Sequence, residues 1–440
     1  MGKIEKYIEE IDDKNIKFNI KLFPIYYSFS YDFLFFYAIE FVFLSQVKNF
    51  TSSQILLLDS MIPLFCLLFN IPVTLFIERN GKRKSLVIGN ICMSICLFLV
   101  IISRSYIGII VAFLFNSFGF CFKRLTETNI LAESINIKSK KEKSLFALAY
   151  STGLKNYLIL DGVTSFFIGL TYEINGYLPM MISLIFTIVS TILSACFKKT
   201  DVEAREKAKS KPKKSFIKEY KEQLAELKKS FAKFIKSERL RALMLFIFLF
   251  SGFAYGSYSL RETLMVEYYE VNAVAFGIII ASLTVIGGLA EILHEKIRKL
   301  FKNRTLTFIS ILFISTFILI YLISIANLDM NVKLGLTLIL FAVQYSSDSL
   351  YMGFENTYQK NFTTNKIRVK ISAIIEIIKN LSNSLMTFIF SFLVGTFAIN
   401  LVFLYIGIAF AIIFVAVLSY MKPRFGLKKE QYDKSEIFSR

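Results

Sequence analysis

Apolar residues gather in twelve long runs, over residues 22–47, 53–77, 85–103, 106–122, 144–172, 176–197, 240–265, 273–293, 305–326, 334–358, 369–397 and 400–420. Most approach or exceed the roughly 20 residues with which an α-helix crosses about 30 Å of hydrocarbon. A backbone that spans lipid must satisfy its own polar groups, so runs of this length predict helices. The expected fold is an all-α membrane protein with 12 transmembrane helices. The one long connection, 198–239, divides the helices six and six. The expected order is therefore a tail over 1–21, a six-helix bundle over 22–197, a linker over 198–239, a second bundle over 240–420 and a tail over 421–440. Within the linker Ile217, Tyr220, Leu224, Leu227, Phe231 and Phe234 recur every three or four residues, with Lys218, Lys221, Lys228, Lys229, Lys233 and Lys236 between them. This spacing predicts a basic amphipathic helix. Such a helix suits either an anionic inner leaflet or the cytoplasmic ends of the bundles.

Composition agrees with the pattern. The chain of 440 residues is 55% hydrophobic, with 47 Phe and a mean hydropathy of +0.56. That is not the composition of an ordinary water-soluble globule. The net charge of +19 raises the question of nucleic acid, but the placement of the cations answers it. Nearly all of the 52 Lys and Arg fall in the two tails and in alternate connections, whereas the intervening connections hold only Lys48, Arg104 and Lys333. By the positive-inside rule both termini and the linker face the cytoplasm, and no nucleic-acid partner is expected. The first apolar run is too long for a cleaved signal, so a multi-pass protein of the cell membrane is expected. Cys66, Cys92, Cys96, Cys121 and Cys196 sit inside apolar runs at no metal-ligand spacing and read as small buried hydrophobes. His294 is the only histidine. No catalytic constellation, cofactor or metal is expected, and Gly81-Lys82-Arg83 is not the end of a phosphate-binding loop. Energy would then come from an ion gradient or from the gradient of the cargo.

Between the second and third runs stands Ile71-Pro72-Val73-Thr74-Leu75-Phe76-Ile77-Glu78-Arg79-Asn80-Gly81-Lys82-Arg83-Lys84. So short a polar turn between two spanning helices is a hairpin at the membrane surface. It resembles the signature between helices two and three of the major facilitator superfamily, with Glu78, Arg79, Gly81, Lys82 and Arg83 in order; Glu78 replaces the usual Asp and Thr74 the usual Gly. The resemblance implies two pseudo-symmetric six-helix bundles around a central cavity. It also implies a gating role for the turn, with Glu78 facing the start of helix eleven. The alternative is a set of cations that only fixes topology. Faint internal echoes fit two halves: Lys155-Asn156 with Lys379-Asn380, and Glu127-Thr128-Asn129 with Glu355-Asn356-Thr357. A helix-four Arg and a Pro-bearing helix-five pattern found in exporters of the family have no match, with Lys123 and Arg124 only at the inner edge.

Ionisable groups at membrane depth are costly and mark partners or wet cavities. Counting about 1.5 Å per residue places Asp32, Lys155, Asp348 and Lys379 near the midplane. The expected pairs are Asp32 with Lys155 and Asp348 with Lys379, either as the site of proton and cargo coupling or as static staples between helices. Asp161 is a further candidate proton carrier. Glu40, Asp59 and Arg261 lie in the outer third of helices one, two and seven. They read either as an outer latch or, for Arg261, as a snorkelling side chain beside Glu262. Tyr27, Tyr31, Tyr255, Tyr258 and Tyr345 are expected to line the cavity, since phenols suit amphipathic ligands. The sum is a monomeric secondary transporter working by alternating access, with a small-molecule cargo, protons as coupling ion and an anionic inner leaflet as lipid partner. Export of a drug, peptide or metabolite is the leading expectation; uptake of a small charged nutrient and a receptor or scaffold without transport are the alternatives.

Overall fold

A computed structural model of the chain describes residue 11 and residues 13–135, 140–199, 215–236, 238–301, 304–362 and 365–425. These residues form helices and no strand. In chain order the helices are α1 Lys14–Ser30, the single turn α2 Glu40–Val42 followed by a π-turn Phe43–Val47, α3 Ser52–Asn80, α4 Lys82–Ile102, α5 Tyr106–Ile135, α6 Lys140–Ile174, α7 Leu178–Cys196 and the linker helix α8 Phe216–Lys236. The second series is α9 Glu238–Thr263 with a π-turn Leu264–Tyr268, α10 Ala273–Ile292, the short α11 His294–Phe301, α12 Thr305–Ile325, α13 Met330–Phe362, α14 Asn365–Thr396 and α15 Ile399–Phe425. Among the described residues ten helices are long and apolar enough to cross a membrane. The remaining two expected spans are carried by the first segment, which is broken, and by α13.

The break corrects the expectation of one helix over 22–47. Helix α1 begins where the Asp13 carboxylate accepts the N–H groups of Asn15 at 2.7 Å and Ile16 at 3.3 Å, the usual cap at an amino terminus. It stops at Ser30. Asp32 Oδ1 then accepts the Phe33 N–H at 2.9 Å, and short-range bonds from Leu34 to Asp32 and from Phe36 to Phe33 replace the helical ladder. Phe35 has φ 66°, a left-handed conformation costly for a bulky residue. Phe33, Leu34, Phe35, Phe36 and Ile39 are buried. Irregular backbone at membrane depth is tolerated only when protein encloses it in this way.

The chain clusters into two compact units, one comprising the residues up to Lys48 with Phe65–Leu224, the other Asn49–Leu64 with the residues from Ala225 onward. The division differs from the six-and-six expectation at α3, whose first half belongs to the second unit. The reason is polar: Ser53 exchanges hydrogen bonds with Ser391 at 2.7 and 2.8 Å, Ser52 donates to Glu267, and Asp59 accepts from Ser259 at 2.6 Å.

Within the first unit α4 and α5 approach through glycine. A Cβ on Gly119 would stand 2.8 Å from the carbonyl of Gly89, the small-residue contact by which membrane helices pack without hydrophobic driving force. The same unit holds Lys48, whose Nζ donates to the carbonyls of Ile101 at 2.9 Å and Ser103 at 2.8 Å. It closes the carboxyl end of α4. Burial, and next the Arg104 charge, push its ammonium below the ordinary lysine range. In the second unit Lys333 does the same for α12, donating to Ser324 O at 2.8 Å. Cys66, Cys92, Cys96 and Cys121 are buried as expected, whereas Cys196 at the end of α7 is exposed.

Candidate functional site

In the first unit the site grows from the broken end of α1. The last turn of a helix leaves carbonyls without partners and a partial negative charge. Lys123, reaching across from α5, donates its Nζ to the Ser30 carbonyl. The same Nζ lies 3.8 Å from Glu127 one turn further along α5. Glu127 Oε1 also accepts from Tyr26 Oη at 2.7 Å and Ser30 Oγ at 2.9 Å, and Asn90 of α4 donates to Tyr26 Oη at 3.0 Å. Lys123 and Glu127 are 5% and 8% exposed. Sequence reading missed this buried polar network. It ended the fourth span at residue 122 and left both in a loop, yet α5 continues to Ile135 because their charges find partners inside the protein. The echo of Glu127 in Glu355 was the available signal.

Beside this network lies a cluster of acids and phenols. The charge of Asp32 faces Lys123 and Asp161, and the Tyr157 phenol faces both Asp32 and Asp161. Tyr31 packs on Tyr157 with ring centroids 4.5 Å apart and on Tyr27 at 5.4 Å. Tyr27 Oη in turn donates to Tyr150 Oη at 3.2 Å. Tyr27 is buried, while Tyr31 is 42% exposed. The expected pair of Asp32 with Lys155 is not formed. Lys155 is exposed on α6, and the break after Ser30 turns Asp32 onto its own backbone and toward Lys123. Glu40 lies partly buried in α2.

In the second unit Lys379 of α14 pairs with Glu355 of α13 at 3.1 Å. The expected Asp348–Lys379 pair is corrected in the same way. Asp348 Oδ2 accepts from Tyr258 Oη at 2.5 Å, although the Lys379 charge still faces it. Asp348 and Glu355 are two helical turns apart on one face of α13, and Lys379 bonds Glu355.

Arg261 does not snorkel. It is 1% exposed. Its Nη1 donates to Ser257 Oγ and to Gln344 Oε1, both at 3.1 Å, and it lies 4.3 Å from the ring centres of both Tyr258 and Tyr345. Asp59 bonds Ser259 instead. Tyr255, by contrast, is half-buried.

The turn after α3 is built around Gly81, whose φ of 88° and ψ of 153° precede the first residue of α4. Arg79 donates from Nε at 3.1 Å and Nη2 at 2.7 Å to Glu219 of the linker helix, and its guanidinium stacks 5.2 Å from the Phe216 ring centre. Lys82 pairs with Glu133 near the end of α5. Pro72 lies inside α3, which continues through it. Glu78 is exposed and Arg83 is half-buried. The side chains at the start of α14, where Glu78 was expected to find its partner, lie outside the described residues. The apolar stripe Ile217, Leu224, Phe231 and Ile235 of α8 is exposed. Phe234 and Lys233 of that helix lie outside the described side chains. Among the described residues no group of three His, Cys, Asp or Glu could hold a metal ion.

Ten helices long and apolar enough to cross a membrane, among the described residues, define a polytopic membrane protein. The family model of the Major Facilitator Superfamily matches residues 23–353, and the chain belongs to that family. Its fold is similar to that of the nucleoside transporter NupG, at 12% identity and a TM-score of 0.68 over 94% of this chain and 100% of that one. It is also similar to a POT family transporter in complex with a thioalcohol-conjugated peptide, at 11% identity and 0.69 over 93% and 96%. A third similar structure is a bacterial homolog of the human lysosomal transporter Spinster, at 13% and 0.65 over 94% and 98%. No curated protein matches it in sequence.

Proposed function

We propose that the protein is a proton-coupled secondary transporter that exports an amphipathic or zwitterionic small organic compound by alternating access. The observation that carries this reading is the cluster of Asp32, Asp161, Tyr27, Tyr31 and Tyr157. Neither carboxylate closes an ion pair among the described residues, and Lys123 faces Asp32 without bonding it, so a proton or a cationic group entering there finds carboxylates not yet bound to a cation. The phenols around them offer aromatic faces and polar tips to an amphipathic cargo. Asp348, held by Tyr258 above the Lys379–Glu355 pair, has the same standing in the second unit. The Lys379–Glu355 pair between α14 and α13, and the bonds of Lys123 and Glu127 to α1, then hold the helices in register while these three acids exchange protons.

The test is flux in expressing cells. Lower accumulation of the cargo is expected, collapsing when an uncoupler removes the proton gradient. Asp32→Asn and Lys379→Ala are each expected to reduce transport and alter its pH dependence. Normal transport by both variants with an unchanged pH profile refutes the coupling role, and accumulation above the control refutes export.

The protein is proposed to act as a monomer in the cell membrane with both termini cytoplasmic. Its linker helix is proposed to rest on the anionic inner leaflet. The exposed stripe of Ile217, Leu224, Phe231 and Ile235 supports this, because an apolar helix face flanked by lysines binds such a surface. The Arg79–Glu219 bond would tie that helix to the gating turn. Changing Lys218, Lys221, Lys228 and Lys229 to Gln together is expected to abolish the dependence of transport on anionic lipid in reconstituted vesicles. Equal activity of the parent protein with and without anionic lipid removes the leaflet from the account.

A further inference from the structure

The Arg261 guanidinium is held by two phenol rings, a hydroxyl and an amide, and one of its edges is left unbonded. Tyr258 and Tyr345 flank it, with their rings at 89° to one another, and Nη1 is held by Ser257 and Gln344. The Gln344 amide is itself oriented, since its Nε2 donates to Thr316 Oγ1 at 2.8 Å. Nε and Nη2 are buried and meet no hydrogen-bond partner of good geometry among the described residues, and the Tyr345 hydroxyl lies beside the guanidinium. Nε–H and Nη2–H form the parallel edge of the fork, spaced to match two oxygens of one carboxylate or phosphate. A buried charged donor pair left unmet is the kind of group that native structures rarely keep without a use.

The neighbouring acids do not fill this edge. Asp348 is bonded to Tyr258 and Asp59 to Ser259, while the Glu262 charge faces both Arg261 and Asp59 without meeting the open nitrogens. We propose that the Nε/Nη2 edge of Arg261 binds the oxyanion of the cargo, a carboxylate or a phosphate monoester, beside the Tyr258 and Tyr345 rings that pack on the guanidinium. This rests on the transport reading above and assigns the cargo an acidic group. The side chain is almost fully enclosed, so the anion reaches it when Tyr258 or Tyr345 swings aside. A guanidinium already stacked and oriented loses little further freedom on binding, which favours recognition by this edge.

The experiment measures the thermal midpoint of the purified full-length protein in nanodiscs, without any gradient, against benzoate, benzamide, phenyl phosphate and inorganic phosphate. Benzoate or a phosphate is expected to raise the midpoint in a saturable way while benzamide does not. A response to benzoate alone names a carboxylate and a response to the phosphates alone names a phosphate; either supports the proposal. Arg261→Gln is expected to lose the response. Arg261→Lys, which keeps the charge but not the fork, is expected to weaken it by roughly tenfold. If Arg261→Gln does not fold, the lysine variant decides, and an undiminished response there overturns the proposal. Equal shifts with benzoate and benzamide, or no shift with any anion, overturn it as well. A benzoate response without uncoupler-sensitive flux would sink only the transport reading; flux indifferent to the acidic group of its cargo would sink only this one.

Discussion

Replacing Lys123 with alanine is expected to cost about 3–5 kcal/mol, the range found when one partner of a buried ion pair is removed. The loss has two parts. Glu127 would keep its bonds from Tyr26 and Ser30 but lose its cation, and the Ser30 carbonyl at the broken end of α1 would lose its donor. The expected result is a protein recovered in low yield, with a depressed denaturation midpoint and no flux. The double variant Lys123→Met, Glu127→Gln is expected to regain most of the stability, because a neutral pair of similar volume carries no stranded charge. Its transport separates the static role of the pair from a dynamic one. A single variant no less stable than the double would show that Lys123 contributes packing rather than charge.

The second large effect is expected at Gly81. A φ of 88° with ψ of 153° falls in a region open essentially to glycine alone, and forcing another residue into it costs on the order of 1–3 kcal/mol. Gly81→Val relieves that strain by reshaping the turn. Arg79 and Lys82 then leave Glu219 and Glu133. Transport is expected to fall to background while the spanning helices persist, visible as unchanged helical circular dichroism. Gly81→Ala should behave alike, since the strain begins with the Cβ. Full activity in either variant would show that the turn does not need this geometry and would remove it from the gating mechanism.

How far these features could be read beforehand differs from one residue to the next. The hairpin at Glu78–Lys84 was legible because a single glycine between an acid-base pair and three cations satisfies strictly local requirements of turn and membrane surface. The amphipathic α8 was legible for the same reason, its apolar spacing being a property of consecutive residues. The ten unbroken spans followed from apolar length alone. The break at 31–39 was not legible, because nothing in Tyr31-Asp32-Phe33-Leu34-Phe35 forbids a helix; enclosure by neighbouring side chains allows the chain to leave it. Nor was the burial of Lys123 and Glu127, since a charge at the end of an apolar run reads as the beginning of a loop. Asp348 and Lys379 were placed in the right unit but matched with each other, when Tyr258 and Glu355 stood closer.

Apolar length, the one-sided placement of Lys and Arg, and the Gly81 turn are local quantities, and the sequence by itself therefore determined the membrane class, the order of the helices and the family. The partner of each buried charge depends on rotation and register between helices distant in the chain, which differ by small packing energies and leave no mark on neighbouring residues. Only the tertiary structure decided that Lys123 closes the end of α1, that Lys379 belongs to Glu355, and that Arg261 keeps one edge of its guanidinium unbonded.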